Sequence, residues 1–454
     1  MRPQRLRETA TLVVVALYLI LNYGFMLVRM PPNVGVPFGE ILLMTYLLWL
    51  NEVRLLPRFS NTIFLLPFLT WWVSGIGRAY FAFPEYGLVA IRDATHVIES
   101  LFLWVGFVFA AREENIERFF RWLPWILGIS VVYGIGFPLQ ETLKSFSPSV
   151  LSSAGKSTAI FFQYTNTSVL ILLAAAYLMI VRPKTIALGP MLLAPLLLAY
   201  VVAIFQARTI YLQVIAMLLL FAWQYRSSFV KMSSALLLGA MAFLVVSALG
   251  IQFTGRLGGA ISIDFIIAHF GTIMGEGEGE LAGVAGGVDL RTGWWLSIWE
   301  RVTSSAGNFL FGLGYGFPLI DFYGPGGATI REPHNSYISI FARTGVVGLL
   351  AFIWMHAILL VVWFRALRLC RRARYRLGQE RLIVLLIYFM LIWVYGIGED
   401  AFEKPFNAIP YYFFWGIVLH YSLHLRAKLK APLMARRPLR DLFRGNAHAR
   451  SARS

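Results

Sequence analysis

The sequence predicts an all-α polytopic membrane protein of about twelve transmembrane helices with one long outer loop, and three observations carry that reading. Hydrophobic residues make up 58% of the 454 and charged residues only 14%, with a mean hydropathy of +0.67. A water-soluble domain has too little interior to bury that much apolar surface. The apolar residues also gather into runs close to the about 20 residues that a hydrocarbon core demands. Finally, the basic residues lie between and after those runs rather than on one continuous polar face.

In chain order, the candidate spans fall near 10–29, 37–53, 61–79, 95–111, 119–138, 166–181, 186–206, 209–225, 232–251, 338–364, 381–397 and 409–425. Arginine and lysine in short loops mark the cytoplasmic side. Arg2, Arg5 and Arg7 hold the N-terminus there. Alternation then places Arg54 and Arg58, Arg112, Arg118 and Arg121, Arg182 and Lys184, Arg226 and Lys231, and the arginines within 365–381 on the same side. An even number of spans satisfies every one of these loops and returns the basic tail, 426–454, to the cytoplasm. The first run, ATLVVVALYLILNYGFMLV, is long enough to span and has no small-residue cleavage pattern, so it reads as a span and not a cleavable signal. Residues 1–454 form one integral membrane domain, without an internal repeat or the paired broken helices of inverted-repeat transporters.

The formal net charge of +17 would suit nucleic acid on a soluble protein, but its distribution is topogenic and excludes that class. The tail reads as a disordered positive-inside anchor, with anionic lipid or a partner as its alternative ligand. The single cysteine, Cys370, lies in RALRLCRRARYR and excludes an internal disulfide or a cysteine-rich metal site. Two outer connections are long. Residues 139–165 are polar and rich in serine, and 252–337 is by far the longest non-spanning segment, with tryptophans, glycines and scattered charges that predict partial order.

Within that loop, VDLRTGWWLSIWERV (288–302) has the spacing of a short amphipathic helix with Trp295, Ile298, Trp299 and Val302 on one face. Such a face lies at the headgroup level, covers a lipid tail or stacks on a sugar ring, and the tryptophans alone favour the first. Arg291 opens this helix and Arg301 lies near its end. A guanidinium beside a helix N-terminus suits an anion; a pairing of Arg291 with Asp289 is the bland alternative. NFLFGLGYGFP (308–318) lacks the strand–helix surroundings of a dinucleotide loop, so its glycines read as tight turns against the bundle. EGEGE (276–280) reads as an acidic surface turn rather than a cation site.

Arg208, in IFQARTIYLQ, stands between two apolar runs at the outer boundary, where a charge needs a partner or a wet cavity. Arg92 has a simple partner in Asp93. His334 has no acidic neighbour in sequence except Glu332, and read alone is structural. Asn335, Ser336 and Tyr337, after Pro333, fit the cap of the tenth span.

Together these residues resemble the O-antigen ligase and O-antigen polymerase family of bacterial inner-membrane glycosyltransferases. HNSYISIFARTGVVGLLAF is similar to the family's His-Asn-Ser-Tyr motif followed by Thr-Gly and an apolar span. LRTGWWLSIW…NFLFGLGYG is similar to its Arg-x-x-x-Trp segment leading to a Phe-Gly-x-Gly turn, and QARTIYL to the arginine that begins a middle span. The motifs run from Arg208 to Gly348; the first half of the chain matches in topology alone. Arg343 stands where members often carry an acidic residue, which weakens a carboxylate role there and bears on the choice of donor or acceptor glycan.

The resemblance implies a GT-C-like membrane enzyme whose donor is an oligosaccharide on undecaprenyl diphosphate, with 252–337 periplasmic and the active site on that face. It implies that Arg208 and Arg291 hold the diphosphate and that His334 acts on the acceptor hydroxyl as base or as orienting hydrogen bond. Asn335, Tyr337 and Trp295 are implied contacts to acceptor or sugar. The acceptor is a glycan, a glycolipid or a protein, and neither a metal nor another cofactor is called for, because the arginines supply the charge. Two other classes stay open: a transporter or flippase for the same lipid-linked glycan, and a non-catalytic partner in an envelope polysaccharide assembly. Polar residues gathered at one boundary and in one loop favour the enzyme.

Overall fold

The computed structural model describes residues 3–31, 35–48, 62–151, 157–161, 164–181, 189–225, 229–230, 233–234, 236–237, 239, 241, 245, 255–257, 263–272, 282–323 and 329–435. The main helices are α1 (Pro3–Leu21), α2 (Phe38–Leu48), α3 (Thr62–Tyr86), α4 (Phe102–Phe109), α5 (Glu113–Ile135), α6 (Ser168–Ile180), α7 (Gly189–Phe205) and α8 (Arg208–Gln224). They continue as α9 (Ile263–Gly271), α10 (Ala282–Thr303), α11 (Ala306–Phe311), α12 (Ser336–Arg372), α13 (Arg376–Gly398) and α14 (Pro405–Ala435). The described strands form three two-stranded antiparallel pairs in the connections, at 29–30 with 36–37, 149–151 with 157–159, and 322–323 with 329–330. The fold is therefore helical, as the hydropathy pattern requires.

Every expected span apart from 232–251 has a helix at its place; most of 232–251 lies outside the described residues, as do Arg54, Arg58, Arg182, Lys184, Arg226, Lys231, the EGEGE turn and residues 436–454. By length and composition, α12 and α13 can each cross a membrane, and a third crossing is added if Thr95–Phe109 and Glu113–Ile135, bent by 115°, count as one. α2, α6, Leu192–Phe205 of α7, and α8 are apolar but shorter.

The core lies where α14 packs on α4, α1, α12 and α13. Tyr411, Tyr412, Phe413, Phe414 and Trp415 are all fully buried, and Trp415 stacks on Phe389 of α13 with centroids 4.0 Å apart. Without a hydrophobic drive between helices in lipid, close backbone approach supplies the attraction. Gly416 and Gly106 provide it here, since a Cβ on either would strike the backbone of the facing helix.

Ion pairs gather the basic helix ends at one end of the bundle. Arg112, just before α5, pairs with Glu8 of α1 at 3.3 Å. Lys428 and His424 of α14 reach Glu113 of α5 at 3.2 and 3.0 Å, and Arg381 of α13 makes a bidentate contact with Glu117. α12 and α13 run from this end to the opposite one, where the long loop folds back.

One expected span is broken. Gly345 has φ +66° and ψ −167°, which divides α12 into a short arm, 336–344, and a long apolar stretch after it. The 338–364 span is corrected accordingly: its first turns belong to the arm. Apolar content continues across the break, so hydropathy carries no sign of it. Gly345 takes this conformation where Leu310 and Gly312 of the loop press against it, and a Cβ there would fall on the Leu310 backbone. Gly312, at φ +77°, makes the reciprocal approach to Arg343. The GLGYG glycines are thus turns packed on the bundle.

Candidate active site

The site forms where the arm of α12, the C-terminal end of α13, α10 and the start of α8 meet. Asn335 caps α12: its Oδ1 accepts from the N–H groups of Tyr337 (3.0 Å) and Ile338 (3.1 Å), and its Nδ2 donates to the Ile397 carbonyl at 2.9 Å. Ser336 donates to Glu403 Oε2 at 2.5 Å and accepts from the Phe402 N–H at 3.2 Å. Tyr337 donates to the Trp393 carbonyl at 2.9 Å. Trp295 of α10 donates to the Pro333 carbonyl at 3.0 Å. The Asn-Ser-Tyr cluster therefore clasps the end of α13 and the loop after it. These bonds turn the Asn335, Tyr337 and Trp295 polar groups toward protein, and they frame the residue between them.

That residue is His334, held at φ +50°, a left-handed conformation uncommon outside glycine. Its Nδ1 lies 3.4 Å from Glu399 Oε2 and 3.4 Å from Asp400 Oδ2. Glu332, its acidic neighbour in sequence, is instead taken by Arg343 (2.8 Å) and Ser339 (2.6 Å). Glu399, with Asp400 adding to it, raises the His334 pKa above its ordinary value, against the effects of burial and of Arg291. Burial pushes Glu399 up, but His334 and Arg291 outweigh it and hold its carboxylate below the usual range. Asp400 is pushed up by burial. Burial, with Asp400 beside it, pushes Glu403 up to about 8.

Arg291 donates to the Gly398 carbonyl at 2.9 Å and lies 3.7 Å from Glu399 Oε1, so its ion pair is with Glu399 and not Asp289. Its expected place at a helix N-terminus is corrected. AGVAGGVDL continues the helix backward, α10 starts at Ala282, and Arg291 contributes its side chain alone. The helix terminus belongs instead to Arg208, the first residue of α8, where Ala207 offers no capping side chain. Arg208 donates to the Thr272 carbonyl at 3.3 Å, and a Cβ on Gly287 of α10 would stand 3.9 Å from its Nη2. Its charged neighbours are Arg291 and Glu399. Arg291 and His334 thus meet at Glu399, Arg208 lies beside α10 one turn before Arg291, and the charge of Arg256 also acts on the Glu399 carboxylate.

Glu399, Asp400, Glu403 and Arg256 were missed in the sequence reading. The first three stand in GIGEDAFEK, an acidic break between two apolar runs, and that density was the available signal. Ile298 and Val302 are buried with Leu319, Ile320 and Ala342, whereas Trp299 is exposed and stacks on Phe341 with centroids 5.6 Å apart.

Arg343 is among the most buried side chains, at 1% exposure. It bonds to the carbonyls of Gly314 (3.2 Å) and Phe317 and pairs with Asp93 at 3.1 Å and Glu332 at 2.8 Å. Asp93 also takes Arg331 at 3.2 Å and the Gly316 N–H at 3.1 Å, besides its neighbour Arg92. Arg343 therefore ties the glycine turn to the arm that carries His334, and the carboxylates at the histidine come from the loop after α13.

Residues 193–353 match the family model described as O-antigen ligase, a segment that contains Arg208, Arg291 and His334. Over that segment the chain is similar to the O-antigen ligase family, as its motifs led one to expect. The match supports a coarse function, that of a membrane glycosyl-transferring enzyme of polysaccharide assembly. Glu399, Asp400 and Glu403 lie beyond the matched segment. Among curated proteins none matches the chain.

Proposed function

We propose that the protein transfers a glycan from undecaprenyl diphosphate to an acceptor hydroxyl on a glycan, glycolipid or protein. The reaction takes place at the periplasmic face of a bacterial inner membrane, in a chain of about twelve spans with both termini cytoplasmic. One observation carries this reading: Arg291 and His334, remote in sequence, meet at Glu399, and Arg208 lies against the Gly287 turn of the helix that carries Arg291, at the end of the bundle away from the basic helix termini.

The acceptor oxygen bonds to the anomeric carbon of the donor sugar. The bond from that carbon to the diphosphate oxygen breaks, and its electron pair leaves with the lipid diphosphate. Arg208, Arg291 and the free N–H groups at the start of α8 stabilise the departing charge. With Nδ1 turned to Glu399 and Asp400, His334 presents Nε2 to the acceptor hydroxyl and takes its proton. The two carboxylates stabilise the imidazolium that results. Asn335, Tyr337 and Trp295 serve the acceptor side by fixing the backbone around His334.

The test uses purified protein with lipid-linked donor and acceptor. Arg208→Ala, Arg291→Ala and His334→Ala each lower transfer by about 10²–10³ while expression and membrane insertion stay normal. Full activity in any of the three removes that residue from the mechanism. Movement of the donor across the bilayer without release of lipid diphosphate would indicate a transporter instead.

A further inference from the structure

At the end of the bundle opposite His334 there is an open cavity of about 340 Å³ lined by Arg365, Arg368, Leu369, Arg372 and Arg426. Arg365, Arg368 and Arg372 follow i, i+3, i+7 spacing and so share one face of α12. Arg426 of α14 faces them from a second helix. No acidic residue lines the cavity.

The surrounding basic residues differ from these four. At the same end Arg112, Arg376, Arg381 and Lys428 each hold a carboxylate, and Arg371 bonds to Gln224. Among the described residues, none of the four cavity arginines makes an ion pair. A topogenic charge needs only to stay on its side of the membrane and has no reason to converge with others on one hollow. Four guanidinium groups around a concave surface with one leucine match an anion with several acceptor oxygens and an apolar extension. A phosphate joined to acyl chains has that chemistry, and α12 and α14 deliver the cavity to the level where their apolar stretches end.

We propose that this cavity binds the phosphate of an anionic phospholipid headgroup, in the leaflet opposite the transfer site. The guanidinium groups take the phosphate oxygens, and Leu369 lies beside the start of the acyl chains.

Full-length protein in neutral detergent is titrated with phosphatidylglycerol, with phosphatidylcholine and with inorganic phosphate, and bound ligand is read by native mass spectrometry. Wild-type protein retains phosphatidylglycerol in preference to phosphatidylcholine. The Arg368→Ala/Arg372→Ala variant binds it about thirtyfold more weakly, at about 1 kcal/mol per arginine. Arg118→Ala/Arg376→Ala removes equal charge from the same end and leaves the affinity within a few-fold, and a thermal unfolding midpoint in lipid-free detergent establishes that both variants are folded. Equal loss in both variants, or equal retention of the two lipids, overturns the proposal. Displacement of the lipid by inorganic phosphate at equal concentration assigns the cavity to a soluble anion and also overturns it.

Discussion

Replacing Glu399 with glutamine keeps its size and removes its charge. Glu399 Oε2 lies 3.4 Å from His334 Nδ1 and Oε1 lies 3.7 Å from Arg291 Nη2. At an effective dielectric of about 20, each contact amounts to roughly 4–5 kcal/mol of bare Coulomb energy. The Glu399 side chain is 36% exposed, so solvent screening and side-chain entropy reduce the net effect to about 1–2 kcal/mol. The expected loss is then about fivefold to thirtyfold in kcat/KM on the alkaline plateau.

The pH profile separates a charge effect from a packing effect. His334 must be unprotonated to accept a proton, so activity rises with pH through its pKa. The Glu399 carboxylate raises that pKa. Without it, burial and Arg291 push the pKa down, and the rising limb moves to lower pH. Initial rates of transfer measured from acid to mildly alkaline pH give both quantities. An unmoved limb with a lowered plateau would refute the role of Glu399 at the histidine, and an unchanged plateau would refute the work assigned to the contact.

Transfer persists in excess chelator; loss restored by a divalent ion would contradict charge stabilisation by the arginines. Gly345→Ala puts a Cβ on the Leu310 backbone at φ +66°, lowers stability by about 3 kcal/mol or more and reduces transfer, checked by thermal unfolding and activity in detergent. Arg343→Ala takes one buried partner from Asp93, which keeps Arg331 and the Gly316 N–H, and another from Glu332, and costs about 1.5–3 kcal/mol, whereas Arg92→Ala, on the exposed partner of the same carboxylate, shifts the midpoint by little.

The fold class was legible because hydropathy is a local property. A run of apolar residues states its own need for lipid, and a flanking arginine states its side. The candidate residues Arg208, Arg291 and the His-Asn-Ser-Tyr cluster were legible for a similar reason: each is a recognisable local pattern, and all lie within the segment that the family model matches. Partnership is not local. The carboxylates that face His334 come from a loop after the next helix, and Glu332, the acidic neighbour in sequence, is drawn away by a buried arginine. Arg291 read as a helix start because the amphipathic spacing begins beside it, yet α10 starts at Ala282 and runs through Gly286 and Gly287.

The break at Gly345 belongs with these corrections. Backbone conformation there is decided by the glycine turn pressing from the loop, and the apolar pattern runs on as if the helix were continuous. The sequence by itself determined that the chain carries membrane-spanning helices and which charges are available at their ends and in the loops between them. The tertiary structure alone decided which charge faces which, because contacts between residues remote along the chain depend on how the helices pack, and hydropathy constrains that packing only weakly.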